Sequence, residues 1–299
     1  MTRADPAARD GAPRSVYAVM LFQTLLASAT YLVAKSVVDA ADPFTLTFLR
    51  SLVAAGGMGL LVLLRGGLPR IRREDRGLVF WLSVLGIPLN QFCFLLGLRY
   101  TLPANAALLY AVTPLVVLVF ARVLLGEALT GRKIAGVVLG FAGVATVIFS
   151  RGGEAGTGGL LGDLIIFAGV LAWGLYSVYG KRLILRYGAF ESTAWTMLIG
   201  AAVFFPIGLV PALGFPYDAL TLPNWLQILY LGLITSVAAY SLWFYAIARL
   251  DVGKVALFTY LQPVFTTVLA VLLLGQPPTA WFVAGGVIAL AGVALAQTG

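Results

Sequence analysis

A chain of 299 residues that is 61% hydrophobic and 11% charged, with mean hydropathy +0.97, is excluded from the range of soluble globular domains. It reads as a polytopic membrane protein in which one integral unit fills nearly the whole length. The formal net charge of +8 fits basic loops held on the cytoplasmic side of a bilayer better than a nucleic-acid partner. Histidine is absent and Cys93 is the one cysteine, so no internal disulfide, metal cage or imidazole proton shuttle is expected. No catalytic residue, metal or cofactor is expected either.

In chain order, residues 1–15 are polar and rich in Pro, Ala and Gly, and read as a disordered cytoplasmic tail. The apolar segment that follows runs on too long for a removed signal peptide. A hydrocarbon core of about 30 Å needs about 20 apolar residues per helix, and that ruler gives ten spans. The first five are Val16–Val37, Pro43–Leu64, Gly77–Leu98, Pro103–Leu125 and Arg132–Phe149. A Gly-rich linker, 150–159, separates them from Leu160–Leu185, Phe190–Leu213, Pro223–Ala248, Gly253–Leu274 and Thr279–Ala296. The segment Pro206–Pro223 is expected at the outer interface, anchored by Tyr217 and Trp225.

Arginine and lysine set the orientation. They crowd the tail (Arg3, Arg9, Arg14) and the second loop (Arg65, Arg70, Arg72, Arg73, Arg76). Arg132 and Lys133, then Lys181, Arg182 and Arg186, then Arg249 and Lys254 mark the other even loops. All fall on one side, which places both termini in the cytoplasm.

The stretch Ala107–Ala145 returns as Ala256–Ala294 without a gap, Pro114 matching Pro263 and Gly126 matching Gly275, each 149 positions on (263 − 114; 275 − 126). Roughly sixteen of about forty positions are identical, and the shared Pro, Gly and Thr positions carry the weight. Five spans per copy is an odd number, so the halves 16–149 and 160–299 must lie upside down relative to each other.

Polar residues inside the spans are the site candidates. Thr24, Ser28 and Tyr31 step by four and three along the first span, with Gln23 bordering them, and form one polar stripe. Asn90 and Gln91 sit beside Pro88 in the third. Tyr110 and Thr113 precede Pro114 in the fourth; Thr259, Tyr260 and Gln262 precede Pro263 in the ninth. The two prolines are expected to kink equivalent helices near mid-depth, where transporters hold substrate. Trp173, Tyr176, Ser177 and Gly180 step along the sixth span, and Thr235, Ser236, Tyr240 and Trp243 along the eighth. Serines and threonines also serve as glue between membrane helices, and Thr113 or Thr259 can bond its own helix backbone. Lys35 near the outer end of the first span is a gate candidate or a snorkelling charge, and Arg50 would lie some 10–12 Å deep. Gly136, Gly140 and Gly143, with Gly56 and Gly59, are expected to let helix backbones approach closely. None of the acids is clearly mid-membrane, which favours facilitated or weakly coupled transport over proton coupling.

The pattern closing each half resembles the drug/metabolite transporter superfamily, in its EamA-domain branch of bacterial exporters. It is carried by Pro114, Leu124–Glu127, Leu129, Thr130, Gly136 and Gly143, then by Pro263, Leu273–Gly275, Thr279, Gly285 and Gly292. Lys35 with Pro43 and Arg50 adds to the likeness, with a weak echo in Lys181, Ala189 and Thr196; Gln276 departs where the first copy has Glu127. The resemblance implies an all-α membrane fold of two inverted five-helix repeats and export of small metabolites across the bacterial inner membrane. Aromatic amino-acid exporters are the nearest in style. The alternatives are a multidrug or organic-cation exporter, a channel, or a membrane-embedded enzyme, whose chemistry would want clustered acids or a metal. The expected partners are a small-molecule substrate and the lipid bilayer, with the unit a monomer or homodimer.

Overall fold

Apolar stretches have no water in a bilayer core to satisfy their amides, so each closes its hydrogen bonds within a helix. The computed structural model describes residues 14–101, 106, 109–149, 160–262, 264–265, 268–269 and 280–298, and these contain helices and no strand. The first half comprises α1 (Arg14–Val38), α2 (Pro43–Leu64), α3 (Arg73–Tyr100), α4 (Thr113–Leu125) and α5 (Gly131–Phe149). The second comprises α6 (Leu160–Tyr187), α7 (Ala189–Leu213), α8 (Leu222–Ile247), α9 (Val252–Leu261) and α10 (Ala280–Gln297). Six of them (α1, α2, α3, α6, α7 and α8) are long and apolar enough to cross a membrane, while α4 and α9 are shorter apolar helices.

The packing has the symmetry of an inverted repeat. Helix α2 packs on α7 and α5 on α10, and the contact of α3 with α6 is matched by that of α8 with α1. The α5–α10 pair is close because its crossing is built of glycine. A Cβ on Gly136 would stand 2.6 Å from the Gly292 carbonyl oxygen, and one on Gly143 would stand 2.6 Å from that of Gly285. Gly56 and Gly59 do not share this role: a Cβ at either meets nothing within 4 Å, and it is Gly57 that abuts Leu233. A helix rotates all its residues together, so the packed face of α2 fell one position away from the expected one.

Among the described residues, three helices carry wide, π-helical turns. In α3 the turn covers Leu85–Gln91 around Pro88, in α8 it covers Tyr230–Ala239, and in α4 it covers Ala121–Leu125. Proline supplies no N–H and crowds the carbonyl four residues back, and the wide turn in α3 absorbs that fault. Shifted by the repeat spacing of 149 residues, the α3 turn falls on the one in α8.

The expected kink at Pro114 takes another form. The chain turns at Ala111–Val112 and a new helix starts at Thr113, so Pro114 occupies the first turn of α4. A proline is favoured there because its absent N–H is one that a helix start leaves unpaired anyway. The partner residue Pro263, the tail 1–13 and the linker 150–159 lie outside the described residues.

Among the described residues, every ion pair between the halves lies at one end of the helices. Lys181 Nζ is 3.0 Å from Glu127 Oε1 and Lys133 Nζ is 3.6 Å from Asp251 Oδ2. Arg186 pairs with Glu74 at 3.2 Å and also with Asp75. Gly126, left-handed at φ 72°, ends α4 and turns the chain so that Glu127 also accepts from the Val252 N–H at 3.2 Å. This end is the arginine-rich one.

Candidate functional site

Helices from both halves surround a cavity of about 650 Å³, its open mouth included, within the range of small-molecule sites. Its walls come from α1 (Gln23, Ala27, Thr30, Tyr31), α2 (Arg50) and α3 (Asn90, Gln91, Phe94). Tyr110 precedes the turn before α4. Trp173 comes from α6, Thr235, Ala239, Tyr240 and Trp243 from α8, and Thr259 from α9, with Gln262 just after it. The wide turns of α3 and α8 thus carry Asn90, Gln91, Thr235 and Ala239 into one space. π-helical turns free carbonyls and often mark such sites.

Two aromatic groups face each other across this space. Tyr31, Phe94 and Tyr110 meet edge to face, with centroids 5.6–6.2 Å apart. Trp173 stands 4.8 Å from Tyr240 and 5.2 Å from Trp243. Asn90 joins the groups. Its Oδ1 accepts from the Tyr240 hydroxyl at 2.9 Å, and its Nδ2 donates to the Tyr110 hydroxyl and to the Gly169 carbonyl, each at 3.0 Å. That uses most of what one amide offers, so Asn90 is a fixed strut. Gln262 Oε1 accepts from the Tyr31 hydroxyl at 3.2 Å.

One wall is polar and less well satisfied. Arg50, 2% exposed, donates through Nε to Ser236 Oγ at 3.0 Å. It forms no ion pair among the described residues, although an unpaired charge at that depth is expensive. Gln91, 1% exposed, has neither of its amide atoms in hydrogen-bond geometry with a partner. Thr30 and Thr235 close the remaining wall with a hydroxyl pair at 2.9 Å.

Twelve of the residues singled out from sequence therefore line the cavity: Gln23, Tyr31, Arg50, Asn90, Gln91, Tyr110, Trp173, Thr235, Tyr240, Trp243, Thr259 and Gln262. Others stand behind the wall. Thr24 and Ser28 bond the carbonyls of Met20 and Thr24 in their own helix at 2.7 and 2.6 Å, and the face of α1 that meets the cavity is Gln23, Ala27, Thr30 and Tyr31. Tyr176 stacks between Trp173 and Phe244 and bonds Thr196 at 3.0 Å. Ser177 accepts from the Trp243 indole at 3.0 Å. Tyr260 reaches away to the Val137 carbonyl at 2.9 Å with its ring over Gly140. Pro114 is buried but outside the cavity lining. Lys35 pairs with Asp39 at 2.9 Å, four residues on, at the partly exposed end of α1. Ala27, Phe94 and Ala239 were not singled out, because apolar side chains carry no polarity signal in an apolar helix. No group of three or more His, Cys, Asp or Glu able to hold a metal occurs among the described residues.

The model of the EamA-like transporter family matches residues 14–149 and again 160–298. The uncharacterized transporter YyaM of Bacillus subtilis strain 168 is 29% identical over 95% of this chain and 93% of its own length. An uncharacterized transporter of Archaeoglobus fulgidus is 32% identical, over 85% of this chain and 87% of its own. A probable terminal-alkyne amino-acid exporter of Streptantibioticus cattleyicolor is 28% identical over 77% of this chain and 75% of its own. A crystal structure at 26% identity superposes with a TM-score of 0.79 and covers 94% of this chain and 98% of that one. Relatives and family alike are transporters rather than enzymes, and with its two matched halves this multi-pass membrane protein belongs to the EamA-like transporter family.

Proposed function

We propose that the protein exports amino acids, aromatic ones among them, or closely related small metabolites across the bacterial inner membrane by alternating access. Support comes first from one observation: the aromatic and amide-lined cavity between the halves, which both of them build. Rings and neutral amides can hold a zwitterion with an aromatic side chain. The name of the Streptantibioticus relative supports the same substrate class.

The halves 16–149 and 160–299, joined by the linker 150–159, act as the two rocking units, each a five-helix repeat. The arginine-rich face is cytoplasmic, with both termini on it. There the pairs Lys181–Glu127, Lys133–Asp251 and Arg186–Asp75 hold the cytoplasmic gate shut, and opening requires breaking them. The substrate contacts are Tyr31, Arg50, Asn90, Gln91, Tyr110, Trp173, Tyr240, Trp243 and Gln262. Thr24, Ser28, Tyr176, Ser177, Tyr260 and Pro114 shape the walls from behind. Transport is facilitated or weakly coupled, because the described residues of the cavity lining include neither a carboxylate nor an imidazole to alternate a proton between sides.

Uptake by proteoliposomes against a panel of labelled amino acids tests this reading. Saturable, trans-stimulated uptake without substrate-linked pH change is expected. Flux that does not saturate, or a stoichiometric pH change, would contradict it.

A further inference from the structure

Two buried polar side chains of the cavity lack the partners their chemistry demands. A guanidinium has five N–H donors; that of Arg50 uses Nε on Ser236 and makes no other hydrogen bond or ion pair among the described residues. The other ionisable groups in the described lining of the cavity are the Tyr31, Tyr110 and Tyr240 phenols, none of which carries a negative charge at neutral pH. The Gln91 amide, one helix away, has both polar atoms unsatisfied. Native interiors leave only a few buried polar groups per hundred residues without a partner, and here Gln91 and the free end of Arg50 face the same space. The symmetry of the halves sharpens the point. Thr196, which answers to Arg50 in the echo of Lys35, Pro43 and Arg50 by Lys181, Ala189 and Thr196, has its hydroxyl engaged with Tyr176 and with its own helix, and among the described lining residues the one cation comes from the first half.

From this juxtaposition we infer that Arg50 and Gln91 form the anchor for a single carboxylate of the transported molecule, whose apolar body lies against Trp173, Tyr240 and Trp243. The inference rests on the transport reading above and deepens it by fixing which end of the substrate is held. A guanidinium matches a carboxylate in a planar, two-toothed contact, and the amide N–H of Gln91 adds a third donor. One cation balances one negative charge, so a carboxylate suits the site better than a phosphate dianion. The lone positive charge also opposes an amine at this end of the cavity.

Matched probes decide the matter. Binding of 3-phenylpropionate, phenethylamine and phenyl phosphate is measured by thermal shift on the full chain in nanodiscs, for wild type, R50Q, R50K and Q91A. In the wild type the carboxylate is expected to bind at least about tenfold more tightly than the amine, the scale of one charge-assisted hydrogen bond. R50Q should erase that preference, while R50K and Q91A keep it in weakened form. If R50Q shows no cooperative melting, the weakened preference in R50K and Q91A carries the test. An amine that binds as well as the carboxylate, a preference untouched by R50Q, tightest binding of phenyl phosphate, or no binding of any probe would each overturn the anchor. Flux is read separately in proteoliposomes. Flux without carboxylate preference removes the anchor and leaves the carrier; carboxylate binding without flux does the reverse.

Discussion

The Tyr240 hydroxyl donates to Asn90 Oδ1 at 2.9 Å, and this bond crosses from one half of the molecule to the other, from the residue that follows the wide turn of α8 to the wide turn of α3. It holds the Tyr240 ring 4.8 Å from Trp173 and so sets the width of the aromatic wall. Asn90→Ala should leave the hydroxyls of Tyr240 and Tyr110 and the Gly169 carbonyl without this partner. A loss of about 1–3 kcal/mol is expected. A lowered melting temperature together with a weakened preference for aromatic substrates would show it.

Trp173 and Trp243 should separate binding from stability. Trp243 is buried and hydrogen-bonded to Ser177, so Trp243→Ala is expected to destabilise by about 3–5 kcal/mol. Trp173 is only partly buried and faces the cavity. Trp173→Ala should raise the KM for aromatic amino acids about tenfold, the scale of a lost ring contact, with a smaller change in melting. Transport assays and thermal melts on the same preparations compare the two.

Glu127→Gln removes the charge that faces Lys181 at 3.0 Å and weakens the bond to the Val252 N–H. Hydrogen exchange over residues 121–131 and 248–256 should accelerate as the arginine-rich face loosens. A double-mutant cycle with Lys181→Gln should give a coupling of about 0.5–3 kcal/mol. Zero coupling would show that this pair does not hold the face closed.

Glycine positions give a packing test. Gly143→Ala drives a methyl into the α10 backbone at Gly285 and should cost about 1–3 kcal/mol through forced separation of α5 and α10. Gly59→Ala, where a Cβ meets nothing within 4 Å, should be neutral or slightly stabilising through helix propensity. Thermal melts of both variants in detergent measure the contrast.

Much of this was legible in the residues themselves. Length and apolarity give the ten helices, and the match of Pro114 with Pro263 gives the repeat. Asn90, Gln91 and Gln262 point to a cavity, which they line, because an amide is costly in hydrocarbon. Rotation about each helix axis was less legible. Thr24 and Ser28 look as polar as Gln23 and Thr30, but a hydroxyl can bond the carbonyl one turn back, so polarity alone did not choose the stripe. The wide turns in α3 and α8 shift the phase of everything after them, and no residue type marks their length. Nor does sequence say that Tyr260 points towards α5 while Thr259, its neighbour, meets the cavity.

Counterflow in proteoliposomes tests the central claim most directly. Vesicles preloaded with unlabelled L-phenylalanine and holding wild type, Trp173→Ala or Gln262→Ala are given labelled L-phenylalanine outside. The wild type should show transient, saturable accumulation, and both folded variants should lose most of it or change their substrate preference. Accumulation identical in all three proteins would place the substrate path outside this cavity.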